Sequence, residues 1–374
     1  MRVDHAEKRR ARLKVALRIG ALVIALGFMV ALVSTQWQAL QAFQWQVRPA
    51  WLALSLVGLW LAWLLELSVW RFLLSTLGGN LRWGRAAETW FLSNIVRYIP
   101  GNVWQFLGMA ELAADDGVSR VTTFASIALH QALSTAVGMV LAAVYFAVAG
   151  KGALLDAIRP FLWLIPLGLL LCNPRFLEWS LNTLLRIFKR PPIKVTLTWT
   201  QLGLILLGYL GVWLIMGSAF ALLAASFTPV TPQQFAALIA TWAAAYVIGY
   251  LSMITPSGLG VREGVMILLL APLFPAPIPT IIALAARLWM VVAEVVGAGI
   301  ALVARTRERR AGSGERGAGS GERRAGSGER GAESGEREAN LLQTMDRSGG
   351  DLERLTAESD TIAPSRLRAS AEDS

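Results

Sequence analysis

Of the 374 residues 55% are hydrophobic and 16% charged, with a mean hydropathy of +0.51, too few charges for a soluble surface, where about a quarter of residues are charged. The net charge of +10 does not indicate nucleic acid, because 13 Arg and 14 Asp/Glu nearly cancel from Arg305 onward, leaving the excess in short segments beside apolar runs, where topology-setting charges belong. The single cysteine, Cys172, excludes an internal disulfide, and with no metal-ligand spacing no metal or cofactor is expected.

Residues 1–12 form a basic N-terminus with Lys8, Arg9, Arg10 and Arg12. The apolar run at 13–35 is longer than a signal-peptide core, and Ser34-Thr35-Gln36 is a poor cleavage site, so it reads as a retained first helix. Further apolar runs follow at 50–76, 86–112, 121–149, 158–173, 199–227, 234–274 and 278–304. About 20 residues cross a hydrocarbon core, and six of these runs can be single spans. The runs at 86–112 and 234–274 differ, because Pro and Gly break each of them.

Basic residues recur at Arg71, Arg82 and Arg85, at Arg175, Arg186, Lys189, Arg190 and Lys194, and at Arg305–Arg310. The opposite loops are poor in Lys and Arg. This alternation places both termini in the cytoplasm only if each broken run returns to the side it entered from. The expected fold is an all-α polytopic membrane protein with about six spanning helices plus two re-entrant helical hairpins in an inverted-repeat-like arrangement.

The first break reads Arg97-Tyr98-Ile99-Pro100-Gly101-Asn102-Val103-Trp104-Gln105, and the second Thr255-Pro256-Ser257-Gly258-Leu259-Gly260-Val261-Arg262-Glu263-Gly264. Proline removes a backbone donor and glycine tolerates positive φ, so each motif ends one helix and starts another. Freed backbone groups survive at membrane depth only where protein or a wet cavity satisfies them. Arg97, Asn102 and Gln105 flank the first break, and Arg262 and Glu263 sit in the second. A helix N-terminus beside an arginine can receive a phosphate or carboxylate. The alternative is a pair of surface loops whose arginines reach into headgroups.

Glu66 and Glu294 lie within apolar runs, and Arg287 shares a helix face with Glu294, seven residues on. They read either as ion pairs between helices or as the lining of a substrate path, including a proton-responsive pair. His130, Gln131 and Ser134 read as hydrogen-bonding polar groups between helices. The fifteen tryptophans are expected mostly in interfacial belts. From Ala311 the tail repeats AGSGERG-type heptads with no large apolar residue, so 306–374 read as a disordered cytoplasmic extension rather than a coiled coil.

The two motifs, RYIPGNVWQ and TPSGLGVREG, resemble the transmembrane region of the lysylphosphatidylglycerol synthase/flippase family over roughly 13–305. The resemblance implies lipid handling between leaflets. Synthase activity, which in full-length relatives belongs to a separate soluble domain, is not expected of the repeat-rich tail. It also implies binding roles for Arg97, Arg262 and Glu263, backbone roles for Pro100, Gly101, Pro256, Gly258 and Gly260, and weaker support for Arg287 and Glu294. The expected function is a flippase-like protein in the inner membrane of a prokaryote, taking a phospholipid or polyprenyl-linked lipid. It would have no nucleic-acid partner, and a separate synthase or glycosyltransferase is a possible one. The alternatives are a membrane-embedded transferase, with Glu263 or Glu294 as its carboxylate, and a scaffold for a separate synthase.

Overall fold

The computed structural model describes residues 34, 37–42, 46–94, 103–149, 173–187, 191–193, 195, 197–252, 258 and 260–307. The chain divides into two compact units, Met1–Ala304 and Arg305–Ser374. All but one residue each of the expected first helix at 13–35 and of the run at 158–173, and the repeat-rich tail, lie outside the described residues.

In chain order the helices are α1 (Trp37–Ala42), α2 (Pro49–Thr76), α3 (Trp83–Asn94), α4 (Val103–Ala114), α5 (Arg120–Ala149), α6 (Pro174–Ile187), α7 (Trp199–Phe227), α8 (Pro232–Leu251), α9 (Val261–Leu270) and α10 (Ile278–Arg307). No strand occurs among the described residues. Helices are the form an open chain can take in hydrocarbon, because each satisfies its own backbone. Five of them, α2, α5, α7, α8 and α10, are long and apolar enough to cross a membrane, and the protein is a multi-pass membrane protein. Their starts are written locally. Pro49 and Pro232 occupy first-turn positions, where the missing N–H costs nothing. Thr198 and Thr231 cap α7 and α8, accepting from Gln201 and Gln234 N–H while those amides accept in return.

The central seam is α2 against α7. A Cβ added at Gly58 would lie 2.9 Å from Ala219 Cβ, one at Gly211 3.2 Å from Leu65, and one at Gly208 2.6 Å from Val69. As the α2 number rises the α7 number falls, so the pair is antiparallel, and glycine lets the backbones approach along most of its length. Arg48 N–H closes one end on Ser226 O at 2.9 Å. Outward, Leu54, Val57 and Leu61 of α2, Leu204 and Leu207 of α7 and Val295 and Ile300 of α10 are exposed. Such a continuous apolar exterior suits lipid rather than water.

Helices α3 and α4 have 12 residues each, about 18 Å, too short to cross singly. Their outer ends meet where α2 finishes: Arg85 Nε donates to both carboxylate oxygens of Asp116 at 2.9 Å, and Arg85 also pairs with Glu88. At the other end of the bundle, Gln234 Nε2 near the start of α8 donates to Leu273 O just after α9 at 2.9 Å. The start of α3 thus lies beside the chain just after α4, and the start of α8 beside the chain just after α9. The sequence expectation differs from the structure at α8, which with 20 residues is about 30 Å long and long enough to cross by itself. Ten-residue α9 is not.

The tryptophans correct the belt expectation. Trp37, Trp51, Trp83, Trp179 and Trp199 are exposed, but Trp63, Trp70, Trp90, Trp213, Trp242 and Trp289 are buried. The buried indoles fill wide gaps between helices. Two of them place their N–H groups on partners, Trp70 on Ser126 Oγ at 3.2 Å and Trp213 on Ser134 O at 2.8 Å, which makes burial of a polar ring affordable.

Candidate functional site

The second break brings the first group of side chains together. Gly258 and Gly260 have φ of +67° and +85°, the left-handed region that glycine enters without penalty. A Cβ at Gly258 would sit 2.8 Å from Gly249 O, and one at Gly249 3.0 Å from Arg262 Cβ. Gly258 and Gly249 therefore let the turn and the start of the next helix pack directly on α8. Helix α9 starts at Val261, and Glu263 reaches back to accept from Gly260 N–H at 2.7 Å, satisfying a donor the helix start leaves open.

That cap fixes Glu263 facing α10. Its other oxygen lies 3.8 Å from Arg287 Nη1. Arg262, Glu263, Arg287 and Glu294 are all buried, and the charges of Glu263, Arg287 and Glu294 all act on Arg262. Two cations and two carboxylates give a formally neutral cluster, the condition under which buried charge is tolerated. Arg262 Cζ stands 4.2 Å from the centroid of the Trp242 ring and 5.1 Å from that of Tyr246, a cation over aromatic faces. Its Nη2 is buried and has no hydrogen-bond partner among the described residues.

Trp242 and Tyr246 are also a wall. On their other margin lies a cavity lined by Trp63 and Glu66 of α2, Asn94 of α3, Gln131 and Ser134 of α5, Val212, Trp213 and Met216 of α7, and Met290 of α10. Six helices contribute, and the polar members, Glu66, Asn94, Gln131 and Ser134, come from three of them. Among the described residues, Glu66 is the lining residue with a formal charge. Behind it, His130 Nε2 lies 3.7 Å from Glu66 Oε1, and His130 Nδ1 meets the Tyr209 hydroxyl at 2.8 Å.

Among the described residues, the first break reaches the same cavity through Gln105. Gln105, on the first turn of α4, donates from Nε2 to Asn94 Oδ1 at 2.7 Å, orienting a lining amide. Arg97, Pro100, Gly101 and Asn102 lie outside the described residues, as does Pro256. At the outer ends of α3 and α4, the hydrogen bond to Asp116 and the field of Glu88 hold Arg85 more firmly protonated than a free arginine.

A family model described as the lysylphosphatidylglycerol synthase TM region matches residues 16–297. The chain belongs to this family. A comparison with curated proteins gives no match. The match covers every spanning helix except the last turns of α10, and both broken segments, so the cavity and the charge cluster are features of the lysylphosphatidylglycerol synthase TM region as this chain builds it.

Sequence reading and structure meet unevenly in this domain. Arg262, Glu263, Arg287 and Glu294 are brought together, but behind the Trp242 wall rather than on the cavity surface. Gln105 is one residue removed from the cavity. Glu66, Gln131 and Ser134, noticed in sequence as embedded polar groups, form its polar surface. Asn94, Tyr209, Trp242, Tyr246 and Gly249 were not anticipated. Asn94 closely precedes the first break and Gly249 the second, and that proximity is the signal that could have found them. The two aromatics carried no signal apart from their place in an apolar run.

Proposed function

We propose that this protein binds the headgroup of a membrane lipid, phospholipid or polyprenyl-linked, and moves it between leaflets. The observation that carries the reading is the cavity with Glu66, Asn94, Gln131 and Ser134 on its wall, inside a bundle whose outer face is apolar. A polar cavity within hydrocarbon suits a headgroup that must leave water while its acyl chains stay in lipid. Family membership supports handling of lipid.

In this reading the two broken segments are re-entrant hairpins entering from opposite faces, as the Arg85–Asp116 and Gln234–Leu273 contacts suggest. The arginine-rich end of the bundle faces the cytoplasm, with both chain termini there, in the inner membrane of a prokaryote. Arg97 and Asn102 at the first break, with Gln105, assist at the cavity. The cluster of Arg262, Glu263, Arg287 and Glu294 fixes the second hairpin and supplies charge behind its wall. Transport is favoured over a transferase acting through Glu263, because both oxygens of Glu263 are engaged, by Gly260 N–H and by Arg287. A separate synthase or glycosyltransferase would supply the cargo.

The test is scrambling of a fluorescent phospholipid, and of a fluorescent polyprenyl phosphate, in vesicles containing the purified protein. Wild type exchanges at least one of them. Gln131→Trp, which places an indole in the cavity, slows exchange by about tenfold or more, equivalent to about 1.4 kcal/mol of barrier. No exchange by a folded wild-type protein, or full exchange by Gln131→Trp, would sink the reading.

A further inference from the structure

Helix α6 takes no part in the cavity, the charge cluster or either broken segment. It has 14 residues, about 21 Å, and it carries Arg175, Glu178, Asn182 and Arg186 along its length. It is neither long nor apolar enough to cross a membrane. Its start is fixed locally, where Asn173 Oδ1 accepts from Arg175 N–H at 3.0 Å. Leu177, Leu181 and Leu185 recur every four residues and so share a face. All three are buried, in one cluster with Val69 and Leu73 of α2, Ala125 and Leu129 of α5, and Leu202 and Ile205 of α7. Asn182 ties the returning chain to the same helix, donating to Ile193 O at 3.1 Å and accepting from Ile193 N–H at 2.9 Å.

The outer side of α6 has a different make-up. Phe176, Trp179, Thr183 and Ile187 follow one another at intervals of three or four residues and form a second stripe. Trp179 is 63% exposed and Ile187 71%, and the Phe176 ring leans on Trp179 with centroids 5.6 Å apart. Arg175 and Arg186 are exposed as well. Their separation of about three turns gives them one bearing, next to that of Trp179. The sequence continues the charge: from 174 to 200 stand Arg175, Arg186, Lys189, Arg190 and Lys194 against Glu178 alone. An exposed indole and isoleucine suit hydrocarbon, and two arginines beside them suit water. A lipid–water boundary accommodates both.

The neighbours place α6 at such a boundary. Leu73 lies in the last turn of α2 and Leu202 in the first turn of α7, so α6 docks at the end of the bundle where Arg82 and Arg85 follow α2. Trp83 at the start of α3 and Trp199 at the start of α7 are exposed at the same end, and exposed tryptophan collects at the headgroup level. We propose that α6 is an in-plane anchor for the anionic phospholipid surface of the leaflet at this end. Its Trp179–Ile187 stripe enters the acyl boundary, and Arg175 and Arg186 meet lipid phosphates. The excess of cations in this segment favours anionic over zwitterionic lipid, because each one gains attraction near a negatively charged surface. The anchor is separate from the headgroup cavity and holds whether or not the protein moves lipid.

The test uses the full chain in vesicles, in a Cys172→Ser background, with a bimane fluorophore on Trp179→Cys. Phosphatidylcholine spin-labelled near the headgroup end of its acyl chain quenches the fluorophore more than lipid labelled near the methyl end, and aqueous iodide barely reaches it. Stronger quenching from the methyl end puts the stripe deep in hydrocarbon and overturns the in-plane placement. Quenching by iodide without quenching by lipid puts the stripe in water, open to a protein partner, and overturns the membrane assignment. Should Trp179→Cys fail to fold, Ile187→Cys repeats the measurement with the same outcomes. For the charge, spin-labelled phosphatidylglycerol is compared with spin-labelled phosphatidylcholine at equal mole fraction in a phosphatidylcholine host. The anionic lipid quenches about twofold more or better, and combining Arg175→Gln with Arg186→Gln lowers that preference. Equal quenching by the two lipids, or a preference that the double variant leaves unchanged, overturns the assignment to anionic headgroups.

Discussion

At the scale of single residues, the second break shows how a short motif fixes a buried charge. Gly258 and Gly260 allow the turn, Glu263 closes it by capping Gly260 N–H, and the cap aims the second carboxylate oxygen at Arg287. Removing one member of a buried pair leaves the other uncompensated, which costs about 3–5 kcal/mol. Glu263→Gln should therefore lower thermal stability in detergent far more than the double change Glu263→Gln with Arg287→Met, which removes the stranded cation as well. Equal losses from the single and double variants would show that the pair contributes little beyond the cap. Here the sequence was informative. Pro and Gly beside Arg-Glu in an apolar run is a local signal with a local cause, and Gly258, Gly260, Arg262 and Glu263 were legible from it. Gly249 was not, because its importance arises from what packs on it, and a lone glycine in a helix does not announce its neighbour.

At the scale of elements, the α2–α7 seam sets how far the bundle can be altered. Gly208 faces Val69 so closely that a Cβ would lie 2.6 Å from its methyl carbon. Gly208→Leu should separate the two helices and lower the unfolding temperature sharply, whereas Gly203→Leu, on the same helix with nothing within 4 Å, should be nearly neutral. Differential scanning fluorimetry of the two variants in one detergent makes the comparison, and matching losses would contradict a seam at Gly208. The spans themselves were readable in sequence, since 20 or so apolar residues have few other uses. Their partners were not. Apolar periodicity is weak when both the core and the exterior are apolar, so nothing in α2 distinguishes the Leu67 side, which is buried, from the Leu61 side, which faces out. The buried tryptophans were misread for the same reason, because position along a span says little about which way an indole points.

For the whole molecule, the arrangement of ends is the part that chemistry can check most directly. The loop before α2 and the turn before α5 lie at opposite ends of the bundle, as the Arg48–Ser226 and Arg85–Asp116 contacts place them. In a Cys172→Ser background, Val47→Cys and Ser119→Cys should react with a membrane-impermeant maleimide from opposite sides of sealed vesicles. Labelling of both from one side would refute the arrangement. Charge bias along the chain suggested this topology, because arginine is expensive to move across a membrane and so records which loops stayed behind. The cavity left no such record: its polar wall is assembled from α2, α3 and α5, residues far apart in the chain whose meeting is decided by packing alone.

The glycine seam has a consequence for how this protein can vary. In a water-soluble core the least replaceable positions are the bulky ones, since trimming them opens holes. Along α2 and α7 the order is inverted. Gly58 and Gly208 occupy the narrowest points of this seam, and an added atom there wedges the helices apart, while large exposed residues such as Leu204 and Leu207 can be exchanged for other apolar ones at little cost. Drift over generations is thus steered outward: the lipid-facing surface is free to change its bulk, and the inner face keeps its record in the smallest side chains it has.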